Sequence, residues 1–189
     1  MYFPVSLNVK GAPCLVVGGG GVALQKARAL LKAGARVTVV SPALSPALKR
    51  LDARHLRRRF RPADLKGAFL AVAATDDLSV NRAVHRACVR RGILVNVVDV
   101  PELCTFIVPA VVRRGPVTIA ISTGGRSPAL AKAIRKDLER LYPRSLGRLA
   151  KRIGRARRRI LRALPASPSR TRLLKGLASG LTFRRAGAP

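Results

Sequence analysis

The stretch Cys14-Leu15-Val16-Val17-Gly18-Gly19-Gly20-Gly21-Val22-Ala23-Leu24-Gln25-Lys26-Ala27 restricts the possible fold more than any other part of the chain. An apolar run ends in four glycines and a helical pattern begins directly after them, so the stretch reads as strand, tight turn and helix. Within it, Gly18-x-Gly20-x-x-Ala23 matches a dinucleotide-binding fingerprint. Gly18 permits the turn, Gly20 lets the backbone approach a pyrophosphate, and Ala23 lets helix and strand pack closely. Phosphates in such a loop rest on the unpaired N–H groups at the start of the helix. Gly18, Gly20, Gly21 and Val22 are therefore the expected first contacts of a cofactor, NAD.

Beyond this unit the chain keeps a βα rhythm. Leu24, Ala27, Leu30 and Leu31 recur at helical spacing and Gly34 ends that helix. Arg36–Val40 is a second strand, and the residues after it, Ser41-Pro42-Ala43, are expected to line the cofactor. Many NAD sites carry an acid there for the ribose hydroxyls; this chain has none, which leaves NAD against NADP open. Leu56 to Phe60 reads as a third strand whose arginines mark an exposed sheet edge. Ala68 to Ala74 is a continuous apolar run suited to a buried parallel strand, and it ends in Thr75-Asp76-Asp77. Strand ends of this kind face the ligand crevice of an open α/β sheet, so Thr75 and Asp76 join the cofactor set. Asp77 reads better as the cap of the next helix. That helix buries Val80, Val84, Ala87 and Cys88 and stops at Gly92; His85 on its flank, like His55, reads as a surface histidine. Ile93 to Val98 is the fifth strand, and Asp99 follows it directly. An acid between that strand and Val100-Pro101 is a candidate for chemistry, with a turn-capping acid as the plainer alternative.

From Phe106 the rhythm breaks. Phe106 to Val112 and Val117 to Ser122 are strand-like runs joined across Arg113-Arg114-Gly115-Pro116. Thr123-Gly124-Gly125-Arg126-Ser127-Pro128 then opens a helix, with Ser127 as N-cap and Pro128 at its first position. The Gly124-Gly125 turn is either only a turn or a carboxylate seat made of free N–H groups. Leu146, Leu149, Ile153, Ile160, Leu161 and Leu164 form an amphipathic pattern for a helix that packs on a partner. Beyond Pro165 the sequence reads as a weak helix, anchored by Leu173, Leu174, Leu177 and Leu181, and a basic tail.

Charge constrains function. Of 189 residues, 38 are Lys or Arg and 8 Asp or Glu, a formal net charge of +30. Residues 1–112 carry 17 basic and 6 acidic side chains, and residues 113–189 carry 21 and 2. Such a field attracts nucleic acid, an anionic membrane or a substrate with many carboxylates. Aromatics are 4% with no Trp and no stacking motif among the basic runs, which weighs against nucleic acid. Cys14, Cys88 and Cys104 are odd in number and form no C-x-x-C pair, so neither a disulfide framework nor a metal site is expected. With no leader pattern and no membrane-length apolar run, a cytoplasmic protein without membrane attachment is expected.

Taken together, Val16-Val17-Gly18-Gly19-Gly20, Ala73-Ala74-Thr75-Asp76-Asp77, Asn96-Val97-Val98-Asp99 and Ser122-Thr123-Gly124-Gly125-Arg126-Ser127-Pro128 resemble the precorrin-2 dehydrogenase family, the dehydrogenase/ferrochelatase module of siroheme synthase. The likeness covers about residues 1–160 in order and spacing. It implies an α/β fold: a Rossmann-like parallel-sheet domain (1–112), a small strand-rich dimerisation region (113–145) and a helical C-terminal region with a basic tail (146–189), usually as a homodimer. It also implies NAD-dependent oxidation of precorrin-2 to sirohydrochlorin and, in bifunctional members, Fe²⁺ insertion to give siroheme. In the family's pattern Asp99 matches the acid at the active centre and Ser127 a serine of the tetrapyrrole cleft, with Asn96, Gly124 and Gly125 beside the substrate. The chain departs from the pattern at Gly21, where relatives often have Asp.

This chemistry suits the residues. An Arg-rich cleft would draw in a tetrapyrrole rich in carboxylates, and Asp99 would act as general base. Two other readings remain open on sequence: an NAD-sensing or nucleic-acid-binding regulatory module, and a hydride-transfer enzyme acting on another small substrate.

Overall fold

The computed structural model describes residues 2–179; Leu181 and the end of the basic tail lie outside the described residues. The chain forms two compact units that divide between Val108 and Pro109.

In the first unit five parallel strands make one sheet in the order β3-β2-β1-β4-β5. They are β1 (Pro13–Val17), β2 (Arg36–Val40), β3 (Arg54–Leu56), β4 (Leu70–Ala73) and β5 (Leu94–Val97). Side chains alternate across a strand, so each strand feeds two cores. Cys14, Val16, Val37, Val39, Leu70 and Val72 point to one face, where Ala23 and Ala27 of helix α1 (Gly21–Lys32) cover them. Leu15, Val17, Ala71, Ala73, Val95 and Val97 point to the other, against Val84, Ala87 and Cys88 of helix α3 (Leu78–Val89). A sheet buried on both sides has near-continuous apolar strands, and every residue of β4 is buried. Small residues on α1 let it lie close to the strands. A four-residue helix, α2 (Pro46–Lys49), links β2 to β3 and buries Leu48.

The third strand differs from expectation. Leu56 to Phe60 reads as extended, yet β3 ends at Leu56 because its only neighbour, β2, ends at Val40, the residue registered opposite Leu56. The edge position expected for it is observed. Beyond it, Arg58 makes two hydrogen bonds to the Asp64 carboxylate, at 2.9 and 2.6 Å. The two histidines are half-buried rather than surface groups: His55 Nε2 lies 3.0 Å from the Leu48 carbonyl oxygen and His85 Nδ1 2.8 Å from that of Leu103. The first ties α2 to β3, and the second ties the segment around Leu103 to α3. Burial pushes the Cys14 and Cys88 thiols up to about 11, which keeps them protonated and inert.

The second unit begins with the antiparallel pair β6 (Ala110–Arg114) and β7 (Val117–Ile121), turning at Gly115-Pro116 with Gly115 at φ 61°. Its start lies before the boundary expected at residue 112, since Ala110–Arg114 pairs with β7, whereas Phe106 packs in the first unit's core. Helix α4 (Pro128–Leu141) starts as expected: Ser127 Oγ accepts from the Leu130 amide at 3.2 Å, and Pro128 occupies the first turn. The α4 C-terminus is held by Arg114, whose guanidinium donates to the carbonyls of Tyr142 (2.6 Å) and Glu139 (2.9 Å), a cation at the negative end of a helix. Helices α5 (Ser145–Ala163) and α6 (Pro168–Gly176) complete the unit's described part. Gly147 lets α5 pass the hairpin, because a Cβ there would lie 2.6 Å from the Arg114 carbonyl oxygen.

Candidate active site

The carboxyl ends of β1, β2, β4 and β5 open on a cleft of about 1040 Å³ in the first unit. It sits where the strand order reverses, with β2 on one side of β1 and β4 on the other. Loops at such a switch point diverge and leave room for a ligand.

The glycine loop divides into two functions. Gly18 has φ 135°, and a Cβ on it would overlap the Ala74 carbonyl; Gly18 N–H donates to Val40 O at 3.0 Å. A Cβ on Gly19 would overlap the Ala43 carbonyl, and Gly19 O accepts from Ser45 N at 2.9 Å. These two glycines let three strand ends meet. Gly20 and Gly21, by contrast, have nothing within 4 Å of a built Cβ and face the cleft. Gly20 is the N-cap of α1, with no side-chain cap and no acidic residue in the first turn. The first α1 amides therefore meet the cleft with positive potential and empty space, which is what a pyrophosphate requires. The residues fit a dinucleotide. Sequence alone singled out Gly18 and Gly20 but passed over Gly19, because its constraint comes from a loop twenty-odd residues away.

Across the cleft, Ser41, Pro42 and Ala43 follow β2, and Thr75 and Asp76 follow β4, all in the lining as expected. Thr75 is clamped by Asn81 of α3: Asn81 Oδ1 accepts from Thr75 Oγ1 (2.8 Å) and Thr75 N (3.3 Å), while Asn81 Nδ2 donates to Thr75 O (2.9 Å). Asn81 is 5% exposed. Nothing local in sequence marked it; a lone Asn on the buried face of an apolar helix is the only signal. Asp77 caps α3, accepting from the Ser79 hydroxyl (2.6 Å) and the Ser79 (2.8 Å) and Val80 (3.3 Å) amides. The Ser79 hydroxyl first, and then these amides, hold its carboxyl below the usual range.

Asp99 is the one non-glycine residue with positive φ, 59°, among the described residues. It sits in a turn in which Val100 N donates to Val97 O at 3.4 Å, and its exposed side chain lines the cleft. Asp tolerates the left-handed region better than most residues, yet such a conformation persists only where the surroundings impose it. On α1, half-buried Lys26 lies near Asp99 and Cys104: burial pulls its ammonium down, and the two acidic groups oppose that. Lys26 was not legible as a neighbour of Asp99 from sequence.

Asn96, expected beside the substrate, is only 6% exposed and does not line the cleft. Its Nδ2 donates to Phe106 O (3.1 Å) and Cys104 Sγ (3.4 Å), and its buried Oδ1 has no partner. With Cys104 Sγ also accepting from Val97 N at 3.2 Å, Asn96 pins the segment beyond Asp99 against β5. Gly124, Gly125 and Ser127 belong to the second unit, at the start of α4. The Gly124 amide donates to Ser122 Oγ at 3.1 Å, so the carboxylate seat of two free amides is reduced to Gly125. Ser127 N and O are bonded to Thr123 Oγ1 at 3.0 and 3.1 Å, and its hydroxyl proton is uncommitted. No group of three or more metal-ligating side chains occurs among the described residues, nor any helix long and apolar enough to cross a membrane.

Comparison with known proteins agrees with this geometry. The family model described as "Putative NAD(P)-binding" matches residues 5–110, and "Sirohaem biosynthesis protein central" matches residues 114–141. A siroheme synthase of Thioalkalivibrio sulfidiphilus is 48% identical over 183 residues, covering 95% of this chain and 37% of the relative. One from Methylobacillus flagellatus is 54% identical over 151 residues, covering 78% and 32%. The chain thus spans about a third of the length of these relatives. The solved structure of SirC, a precorrin-2 dehydrogenase, superposes with a TM-score of 0.81 at 31% identity, covering 95% of this chain and 90% of that one.

Proposed function

The chain belongs to the precorrin-2 dehydrogenase family, to which the matching part of siroheme synthases also belongs, and on that premise we propose that it oxidises precorrin-2 to sirohydrochlorin with NAD. The observation that supports this most is Asp99, a carboxylate held in a left-handed turn on the same cleft as the open glycines Gly20 and Gly21. Oxidation removes one hydride and one proton from the substrate. Bound NAD supplies the hydride acceptor. Gly20, Gly21 and Val22 would hold its pyrophosphate, and Ser41, Pro42, Ala43, Thr75 and Asp76 of the same cleft lining would flank it. Asp99 takes the proton and, being exposed, passes it to water. Ser127 and Gly125 offer donors to substrate carboxylates, in keeping with the excess of Arg over acids.

Fe²⁺ insertion is proposed as a second use of the same acid, with Asp99 receiving pyrrole protons as the metal enters. We also propose a cytoplasmic homodimer. In its support, the second unit buries Val112, Ala131 and Gly147 alone among its described residues and exposes Leu130, Ile134, Leu161, Leu164 and Leu173. A regulatory nucleic-acid module would leave the Asp99 turn without purpose.

The test is absorbance during incubation of precorrin-2 with NAD, with and without Fe²⁺. Asp99→Asn keeps the shape but cannot accept the proton, and should slow dehydrogenation about 10²–10⁴-fold while NAD affinity stays within about two-fold, since the pyrophosphate contacts come from the loop after β1. Normal turnover in Asp99→Asn would remove the base from this position.

A further inference from the structure

Lys26 carries a charge that packing alone does not account for. It follows Val22 of the cleft lining by four residues on α1, so both lie on one ridge of the helix, Lys26 one turn behind. Long side chains on a helix lean toward its N-terminus, here the end that meets the cleft. Lys26 itself is half-buried and does not line the cleft, and burial pulls its ammonium down. That ammonium makes no hydrogen bond or ion pair among the described residues. Such a group opposes folding, and a methionine of similar length would suit the place better.

The neighbouring segment shows what the charge faces. Val98 and Phe106 pack against the core cluster to which Ala23 and Ala27 of α1 belong, so residues 98–106 start and end on α1's side of the sheet. Within that segment Asp99, and then Cys104, lie close enough to favour the charged form of Lys26. Asp99 has a fixed backbone: Val100 N donates to Val97 O at 3.4 Å, and Val97 N donates to Cys104 Sγ at 3.2 Å. Its carboxylate, by contrast, accepts no hydrogen bond among the described residues. The cleft before it is acidic, since Asp76 and Asp77 also line it and Arg59, the cation of the lining, lies near Asp77. A substrate rich in carboxylates adds to that repulsion.

We infer that Lys26 is a positioning residue for Asp99: from behind the turn, its ammonium holds the carboxylate in one orientation against the repulsion of an anionic substrate. The inference rests on the reading of Asp99 as the base and adds the group that keeps it aimed. Lys26 touches neither substrate nor cofactor, so its effect falls on the rate of the proton step.

The experiment is steady-state and single-turnover oxidation of precorrin-2 by NAD with the full chain, accompanied by thermal unfolding. Lys26→Met should lower kcat about ten-fold while KM for precorrin-2 and the affinity for NAD stay within about two-fold. It should melt no lower than the parent, because a half-buried charge has been removed. Lys26→Arg restores the charge and should recover most of the rate. Lys32→Met, exposed in the last turn of α1, is the control for the general positive field and should leave kcat within about two-fold. A double-mutant cycle decides the route: in an Asp99→Asn background, Lys26→Met should slow the reaction less than about two-fold, since the carboxylate it positions is already gone. An equal loss in both backgrounds overturns the inference. So does a parental rate in Lys26→Met, a loss accompanied by melting several degrees lower, a loss that arginine does not recover, or a loss as large in Lys32→Met. Normal turnover in Asp99→Asn would instead overturn the reading of Asp99 as the base, so the two failures are distinguishable.

Discussion

The two units solve the problem of burying apolar surface differently. The first closes a parallel sheet between α1 and α3, so that Leu15, Val16, Val39, Val84 and Val95 are essentially inaccessible and the cleft opens at the ends of well-buried strands. The second has a two-stranded sheet, amphipathic helices and three buried residues, Val112, Ala131 and Gly147, in its described part. A hairpin with helices and so little core needs further contacts to be stable. The lesson is one of division: a self-contained unit can hold a cleft at its strand ends, whereas a core-poor basic unit leaves much of its amphipathic helices exposed.

The sharpest break of this contrast lies in the glycine loop. Gly19→Val should abolish NAD binding and disrupt the fold of the first unit, since its side chain has to displace the Ala43 backbone. Gly20→Val should lose NAD comparably yet melt within a few degrees of the parent, because that side chain enters open space. Thermal unfolding together with titration separates the two. If both variants melt alike, the division between packing and binding glycines is wrong.

Core substitutions test the two units next. Leu15→Ala should cost about 2–5 kcal/mol in denaturant unfolding, as expected of a fully enclosed leucine. Ile153→Asp, on the half-buried face of α5, should act chiefly on assembly, converting a dimeric mass to a monomeric one by light scattering. A monomeric parent would remove the dimer from the proposal.

The smallest effect concerns pH. The Arg58 guanidinium beside Asp64 holds that carboxyl below the usual range, helped by the Arg61 amide at 2.8 Å. A depressed carboxylate stabilises the fold above its unfolded pKa, about 4, and this is lost as pH falls through its lower folded value. Asp64→Asn should therefore unfold more readily at neutral pH and show a flatter loss of stability below about pH 4.

How much of this was legible depended on range. The strand-glycine-helix unit, the Asp77 and Ser127 caps and the buried β4 run are encoded within a few residues, and sequence reading located them. The end of β3 was not, because it is set by where the neighbouring strand β2 ends, at Val40 opposite Leu56. The Asn81 clamp, the Arg114 cap on α4 and the constraint on Gly19 join residues distant in sequence, and no local pattern announces them. Asn96 was recognised by its motif neighbours, but its buried amide shows a positioning role that the motif does not specify.

The left-handed turn at Asp99 bears on how this protein can drift. Few side chains accept φ near 60°, chiefly Gly, Asn and Asp. Glutamate would keep the charge but strain the backbone, so the chemically nearest replacement is not the one the chain accommodates most easily. Asparagine and glycine fit the turn, keep the fold, and each lies one nucleotide change from aspartate. On the proposed function, a lineage freed from selection for dehydrogenation should therefore lose this acid silently and remain a well-folded dinucleotide-binding protein. Descendants of that kind are where a binding-only role would be expected to arise.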